Sequence, residues 1–115
     1  MATFLMIMRD TPQTCALFNP QAAKATSDWL AKLPEISKRY GIKILASCTV
    51  VTEHVSTMIA EAPSLEAAQR ASMEPEFLAL YRFGTLEIKP ALSGEETVKL
   101  MQQQQLQQQR TPITA

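Results

Sequence analysis

Few side chains in this chain can do chemistry near neutral pH, and they are scattered. His54 is the single histidine and the side chain whose ordinary pKa falls in the physiological range. It suits a general acid or base, a metal ligand, or an ordinary hairpin residue held by a hydrogen bond. Two cysteines, Cys15 and Cys48, supply sulfur. Cys15 with His54 makes a candidate soft-metal pair, to which Cys48 could add a further ligand. The spacing is not that of a paired C-x-x-C site. Cys48 lies in an apolar stretch and reads as a small buried hydrophobe that can also border a ligand. Arg9 and Tyr81 could fix a polar head group, though an ion pair or a structural hydrogen bond would use them equally well. Met58, with Met6 and Met8, suits an adaptable apolar cavity wall or plain core. Glu53, Glu74, Glu76 and Glu87 carry carboxylates, but spacing alone does not make them converge, and solvated charges are the simpler reading.

Several chemistries are excluded by pattern. There is no serine nucleophile elbow, no phosphate loop and no dinucleotide fingerprint. The chain has only three glycines, which argues independently against a phosphate cradle. No motif names a cofactor. The 11 basic and 11 acidic residues balance, so nothing favours neutralising nucleic-acid phosphates. The apolar runs are too short to cross a bilayer, and no positively charged segment precedes one as in a secretory signal. Unpaired thiols in a reducing cytoplasm are the expectation. At 115 residues, 46% of them hydrophobic, one domain with one modest core is expected.

The elements that must position these side chains follow from pattern. Residues 2–9 form a continuous apolar run, as in a strand covered on both faces. Residues 10–19 hold Pro12 and several small polar residues and read as a loop. Asn19 then Pro20 is a helix start: asparagine caps the free amides and proline is tolerated at the first helical position. Trp29, Leu33, Ile36 and Tyr40 recur as one face of a helix, with a kink or restart expected at Pro34 and a stop at Gly41. Residues 42–52 and 55–60 read as two strands of an antiparallel hairpin joined through Thr52, Glu53 and His54. Ser64 caps a second helix with Leu65, Ala68 and Ser72 on one stripe. Pro75 opens a short helical turn carrying Phe77, Leu78 and Tyr81, and Gly84 ends it. Residues 85–89 alternate as a fourth strand, stopped at Pro90. Ser93, Glu95 and Glu96 could start a last helix, which runs into low-complexity glutamine.

Strand, helix, strand, strand, helix, strand is the ferredoxin-like βαββαβ plan, an α+β fold with a four-stranded antiparallel sheet. It assigns residues 1–92 to one domain and 93–115 to a helical, Gln-rich extension, either solvated or recruiting a partner. With both helices on one face, the other face of an apolar sheet needs a cover. A second copy packed face to face supplies it, giving a homodimeric α/β barrel. The alternative is a monomer whose C-terminal segment folds back.

Specific segments carry a resemblance. Glu53-His54, then residues 61–67 (EAPSLEA), Met73-Glu74-Pro75 and residues 86–90 (LEIKP) resemble small uncharacterised proteins of the dimeric α/β barrel superfamily. Residues 11–15 (TPQTC) resemble a Thr-Pro-Glu-x-Cys segment after their first strand. The likeness spans roughly residues 2–98. Antibiotic-biosynthesis monooxygenases, muconolactone isomerases, haem-degrading enzymes and stress-response barrels belong to that superfamily. Its members often carry histidine near the end of strand one, where this chain has Arg9 and Asp10. The resemblance implies a cytoplasmic homodimer that binds a small, mostly apolar molecule between sheet and helices. In one form it is a cofactor-free oxygenase or isomerase with His54 as acid–base group. In another it is a non-catalytic metal- or ligand-binding protein using Cys15 and His54.

Overall fold

The structure is a computed structural model and describes residues 1–110; residues 111–115, the end of the Gln-rich extension, lie outside the described residues. Its elements are β1 (Ala2–Arg9), α1 (Pro20–Tyr40), β2 (Lys43–Val50), β3 (Val55–Ala62), α2 (Leu65–Ala71), α3 (Pro75–Leu80), β4 (Thr85–Ala91) and α4 (Gly94–Arg110). The four strands form one antiparallel sheet in the order β2-β3-β1-β4. This is the ferredoxin-like fold, with the most apolar strand, β1, at the centre of the sheet and β2 and β4 at its edges.

α1 forms because its start and stop are both encoded. The Asn19 carboxamide oxygen accepts from the Gln21 and Ala22 amides, and Pro20 occupies the first helical position. At the other end Gly41 takes a left-handed conformation, φ 69°, and its N–H closes on the Ser37 carbonyl. Between them Ala22, Trp29 and Ile36 are buried at seven-residue intervals, with Leu33 packed beside Trp29. Pro34 does not interrupt the helix as expected. Proline there deprives the Leu30 carbonyl of its partner, but Leu30 is half exposed, so water can replace it.

The core has two lobes. Phe4, Ala62 and Ala68 make one, joined by Ile42 and Ile88. Trp29, Phe77 and Leu80 make the other, joined by Met6, Met8 and Met58. The Trp29 and Phe77 rings meet edge to face at 5.6 Å. Ser64 caps α2 by accepting from Ala67 N. Of the stripe expected on α2, Ala68 and Ser72 are buried, whereas Leu65 is exposed and Ala71 is buried in its place.

Three boundaries differ from the sequence reading. β2 ends at Val50, because residues 51–53 wind into a 3-10 turn that His54 closes in a left-handed conformation. β3 runs on to Ala62 opposite Ala2. β4 continues through Pro90 to Ala91; it is an edge strand, where a proline's missing N–H can face away from the ladder.

By strand alternation, Leu5, Ile7, Ile59 and Val50 share the sheet face opposite the helices. α4 is opened by a capping box, Ser93 Oγ accepting from Glu96 N while a Glu96 carboxylate oxygen accepts from Ser93 N. It then runs away from the body without substantial packing on another element. The radius of gyration, 18.1 Å, exceeds the roughly 13 Å of a compact domain this long for that reason. Among the described residues, no helix is long and apolar enough to cross a membrane.

Candidate functional site

β1 ends at Arg9, paired with Val55, so the next residue, Asp10, comes to lie beside His54 at the start of β3. The Asp10 amide donates to the His54 carbonyl at 3.0 Å. The side chains then approach, His54 Nδ1 to Asp10 Oδ1 at 3.3 Å. Both atoms are sealed from solvent, yet neither has an aligned hydrogen-bond partner. His54 holds φ 54° and ψ 41°, which is uncommon for a residue with a side chain. Such strain is tolerated where the surroundings over-determine it, and it gathers at functional sites.

The loop after β1 brings the third member. Thr11 and Thr14 clasp each other through their hydroxyls and amides. The Cys15 amide donates to the Thr11 carbonyl at 2.8 Å. The Asn19 side chain, while capping α1, also donates to the Gln13 carbonyl at 3.0 Å. So fixed, Cys15 is buried, and its sulfur lies with a ligand atom of Asp10 and one of His54 inside 4.8 Å.

These three residues sit at the polar end of a cavity of about 530 Å³ between sheet and helices. That volume lies within the range of small-molecule sites. Met6, Met8, Met58, Trp29, Leu80 and Phe83 line the apolar part. Ser47, Thr49 and Ser56 contribute hydroxyls from β2 and β3, with the Thr49 and Ser56 hydroxyls bonded to each other at 3.1 Å. Leu17, Leu30 and Val51 also line it and are exposed, as expected of residues at its opening.

Of the residues singled out from sequence, the fold brings Cys15, His54, Cys48 and Met58 to this cavity. Cys48 borders it on edge strand β2 but is exposed rather than buried, because its pairing with Thr57 sets it on the bare sheet face with Ile7 and Ile59. Arg9 and Tyr81 are not among the lining residues. Alternation along β1 turns Arg9 to the opposite sheet face, where it pairs with Glu87 at 2.6 Å. Tyr81 follows α3, is exposed, and tilts against Phe77 at 6.5 Å. Sequence reasoning missed Asp10 and Trp29. Asp10 follows from the β1–β3 pairing, one step past Arg9. Trp29 was visible as a core residue, but not as a cavity wall.

A second polar cluster ties the helices together away from the cavity. The Glu74 carboxylate accepts from Tyr40 Oη at 2.8 Å and pairs with Arg39. The Tyr40 hydrogen bond, aided by Arg39, holds the Glu74 carboxyl below its ordinary range against the opposing effect of desolvation. The same pairing raises Arg39.

Sheet order, helix placement and the cavity beneath them define a ferredoxin-like α+β subunit. No family model and no curated protein matches the chain. Among solved structures it is similar to the protein Atu4242 of Agrobacterium tumefaciens, with 16% identity over 82% of this chain and 94% of that one, at a TM-score of 0.53. It is also similar to SnoaB, a cofactor-independent oxygenase from Streptomyces nogalater. A point mutant of that enzyme matches at 18% identity over 81% of this chain and 92% of that one, TM-score 0.49. A second SnoaB structure matches at 17% over 80% and 91%, TM-score 0.48. At these identities the likeness concerns the fold.

Proposed function

We propose that the chain binds a small, mostly apolar molecule carrying one polar group, and that His54 acts on that group as acid–base with Asp10 orienting its ring. The observation that carries the reading is the cavity: a thioether and aromatic wall ending in Asp10, Cys15 and His54. With the Asp10 carboxylate at Nδ1, the ring's other nitrogen is the one left to exchange a proton with a ligand. A cofactor-free oxygenase or isomerase acting beside a carbonyl or phenol is the reaction class this suits. Two free cysteines, one of them exposed, fit a reducing cytoplasm.

The functional unit in this reading is a homodimer joined through the bare sheet face. Leu5 and Ile7 are half-buried in the single chain, while Ile59 is 39% and Val50 48% exposed. Such a row is costly to leave in water.

Trp29 is the sole tryptophan and lines the cavity, so its fluorescence reports occupancy. A panel of small aromatic and aliphatic carbonyl compounds is titrated against the protein. The expected result is saturable quenching that weakens in Ser56→Leu, which adds bulk at the cavity wall. Quenching indifferent to that substitution refutes binding in this cavity. Turnover of a binding compound should be lost in His54→Gly, and turnover that persists there removes His54 from the reaction.

A further inference from the structure

We propose that Asp10, Cys15 and His54 form a site for one borderline-soft divalent cation, zinc being the best fit, with its fourth position open to the cavity. This goes beyond the ligand-binding reading and does not depend on it.

The donor set comes first. One carboxylate oxygen, one thiolate sulfur and one imidazole nitrogen are ligands that zinc accepts together. Magnesium and calcium want oxygen shells, which a sulfur and a nitrogen spoil. Geometry comes second. Zinc bonds of about 2.0–2.3 Å at tetrahedral angles place ligand atoms roughly 3.3–3.7 Å apart. The His54 Nδ1 to Asp10 Oδ1 separation is already 3.3 Å, and all three donor atoms lie within 4.8 Å of one another. Closing the third edge takes a side-chain adjustment of about 1 Å.

The third observation is independent of proximity. Nδ1 and Oδ1 are both buried without a hydrogen-bond partner, although they are neighbours. A metal-free histidine–carboxylate pair would normally use that approach for an aligned bond, because an unmet buried polar atom costs about 1–3 kcal/mol. Two unpaired donor atoms beside a cysteine that is only 8% exposed are what an ion would satisfy. Among the described residues no further histidine, cysteine or carboxylate joins the group. Three protein ligands with one open position is the arrangement of zinc sites that bind a further molecule, not of closed structural ones. All three residues line the cavity, so the fourth ligand is water or a donor atom of the cavity's occupant. An ion on Nδ1 leaves the ring's proton on its other nitrogen, so His54 cannot then accept another. With the ion bound, His54 can donate that proton but not accept one, so the general-base half of the role proposed above belongs to the metal-free chain.

Cobalt(II) is the test, because a cobalt–thiolate bond gives a charge-transfer band and tetrahedral cobalt gives strong visible bands. The full chain is stripped with chelator and titrated with cobalt, then with zinc by calorimetry. One equivalent per chain is expected, with both bands, and zinc should displace the cobalt. Cys15→Ser should abolish the charge-transfer band. Asp10→Asn and His54→Gly should each weaken binding by more than the 10–100-fold typical of losing an outer-shell partner. Circular dichroism confirms that each variant is folded, and His54→Gly is chosen because glycine accepts the left-handed backbone there. A charge-transfer band that survives Cys15→Ser assigns the thiolate to Cys48 and overturns the proposal. So does the absence of stoichiometric binding, or binding indifferent to all three substitutions.

Discussion

Replacing His54 separates what its backbone demands from what its ring does. The residue holds φ 54° and ψ 41°, a conformation that costs a residue with a Cβ about 1–2 kcal/mol and glycine almost nothing. His54→Ala and His54→Gly both delete the ring and its approach to Asp10, and both keep the carbonyl that accepts from the Asp10 amide. The ring's contribution therefore cancels between the two variants, leaving the backbone difference. Against glycine's relief stands the greater freedom of its unfolded chain, about 0.4–1 kcal/mol. The net is about 1 kcal/mol in favour of His54→Gly, or roughly 5 °C in Tm for a domain of this size. Scanning calorimetry of the two metal-free variants side by side measures it. An alanine variant as stable as the glycine variant would show that the turn at residues 51–54 reshapes freely, and the argument that it is built to aim the histidine would fail.

Ile7→Asp puts a charge in the middle of the bare sheet face and should convert a dimer to a monomer, read by light scattering over a dilution series; a wild-type chain that is a folded monomer at micromolar concentration defeats the dimer at the outset. Gly84→Ala would drive a Cβ to 2.4 Å from the Arg9 carbonyl oxygen, a backbone atom that cannot step aside, so denaturant unfolding should show a loss of about 1–3 kcal/mol; an unchanged midpoint contradicts the close β1–β4 approach. Because Glu74 is held below its ordinary range when folded, the folded state binds fewer protons there, and its contribution is full above that range and lost as pH falls through it. Tyr40→Phe should therefore destabilise most at neutral pH and progressively less between about pH 5 and pH 3; a gap that stays constant or widens on acidification refutes the coupling. Truncation after Met101 should move Tm by less than about 5 °C, or roughly 1 kcal/mol, since α4 lacks substantial packing on the body; a larger fall means that the arm packs.

The strands and α1 were legible because their signals are local. An apolar run, an asparagine before a proline and a glycine after a periodic face each act within a few residues, and each element formed where those signals lie. The end of β2 was not legible, because Val50 and Val51 are equally good strand residues and only the left-handed turn at His54 separates them. Pro90 was read as a stop, which holds in a central strand; that β4 lies at an edge is a property of sheet order. The candidate site divides the same way. Cys15 and His54 stood out by residue type, whereas Asp10 is one ordinary carboxylate among 11 acidic residues until the pairing of Arg9 with Val55 sets it beside the histidine. Arg9 and Tyr81 were chosen for their chemistry, and strand alternation and helix phase placed them elsewhere.

Asn19 links two jobs that proteins usually keep apart. Its oxygen starts α1 and its nitrogen holds the Gln13 carbonyl two residues before Cys15. Aspartate caps helices equally well elsewhere, but here it would set an oxygen against that carbonyl; serine is too short to reach both partners. The usual interchange among capping residues is therefore closed at this position. The helix cannot be given a different start without loosening the strap that aims the cysteine, so the scaffold and the reactive end of the cavity must change together or not at all.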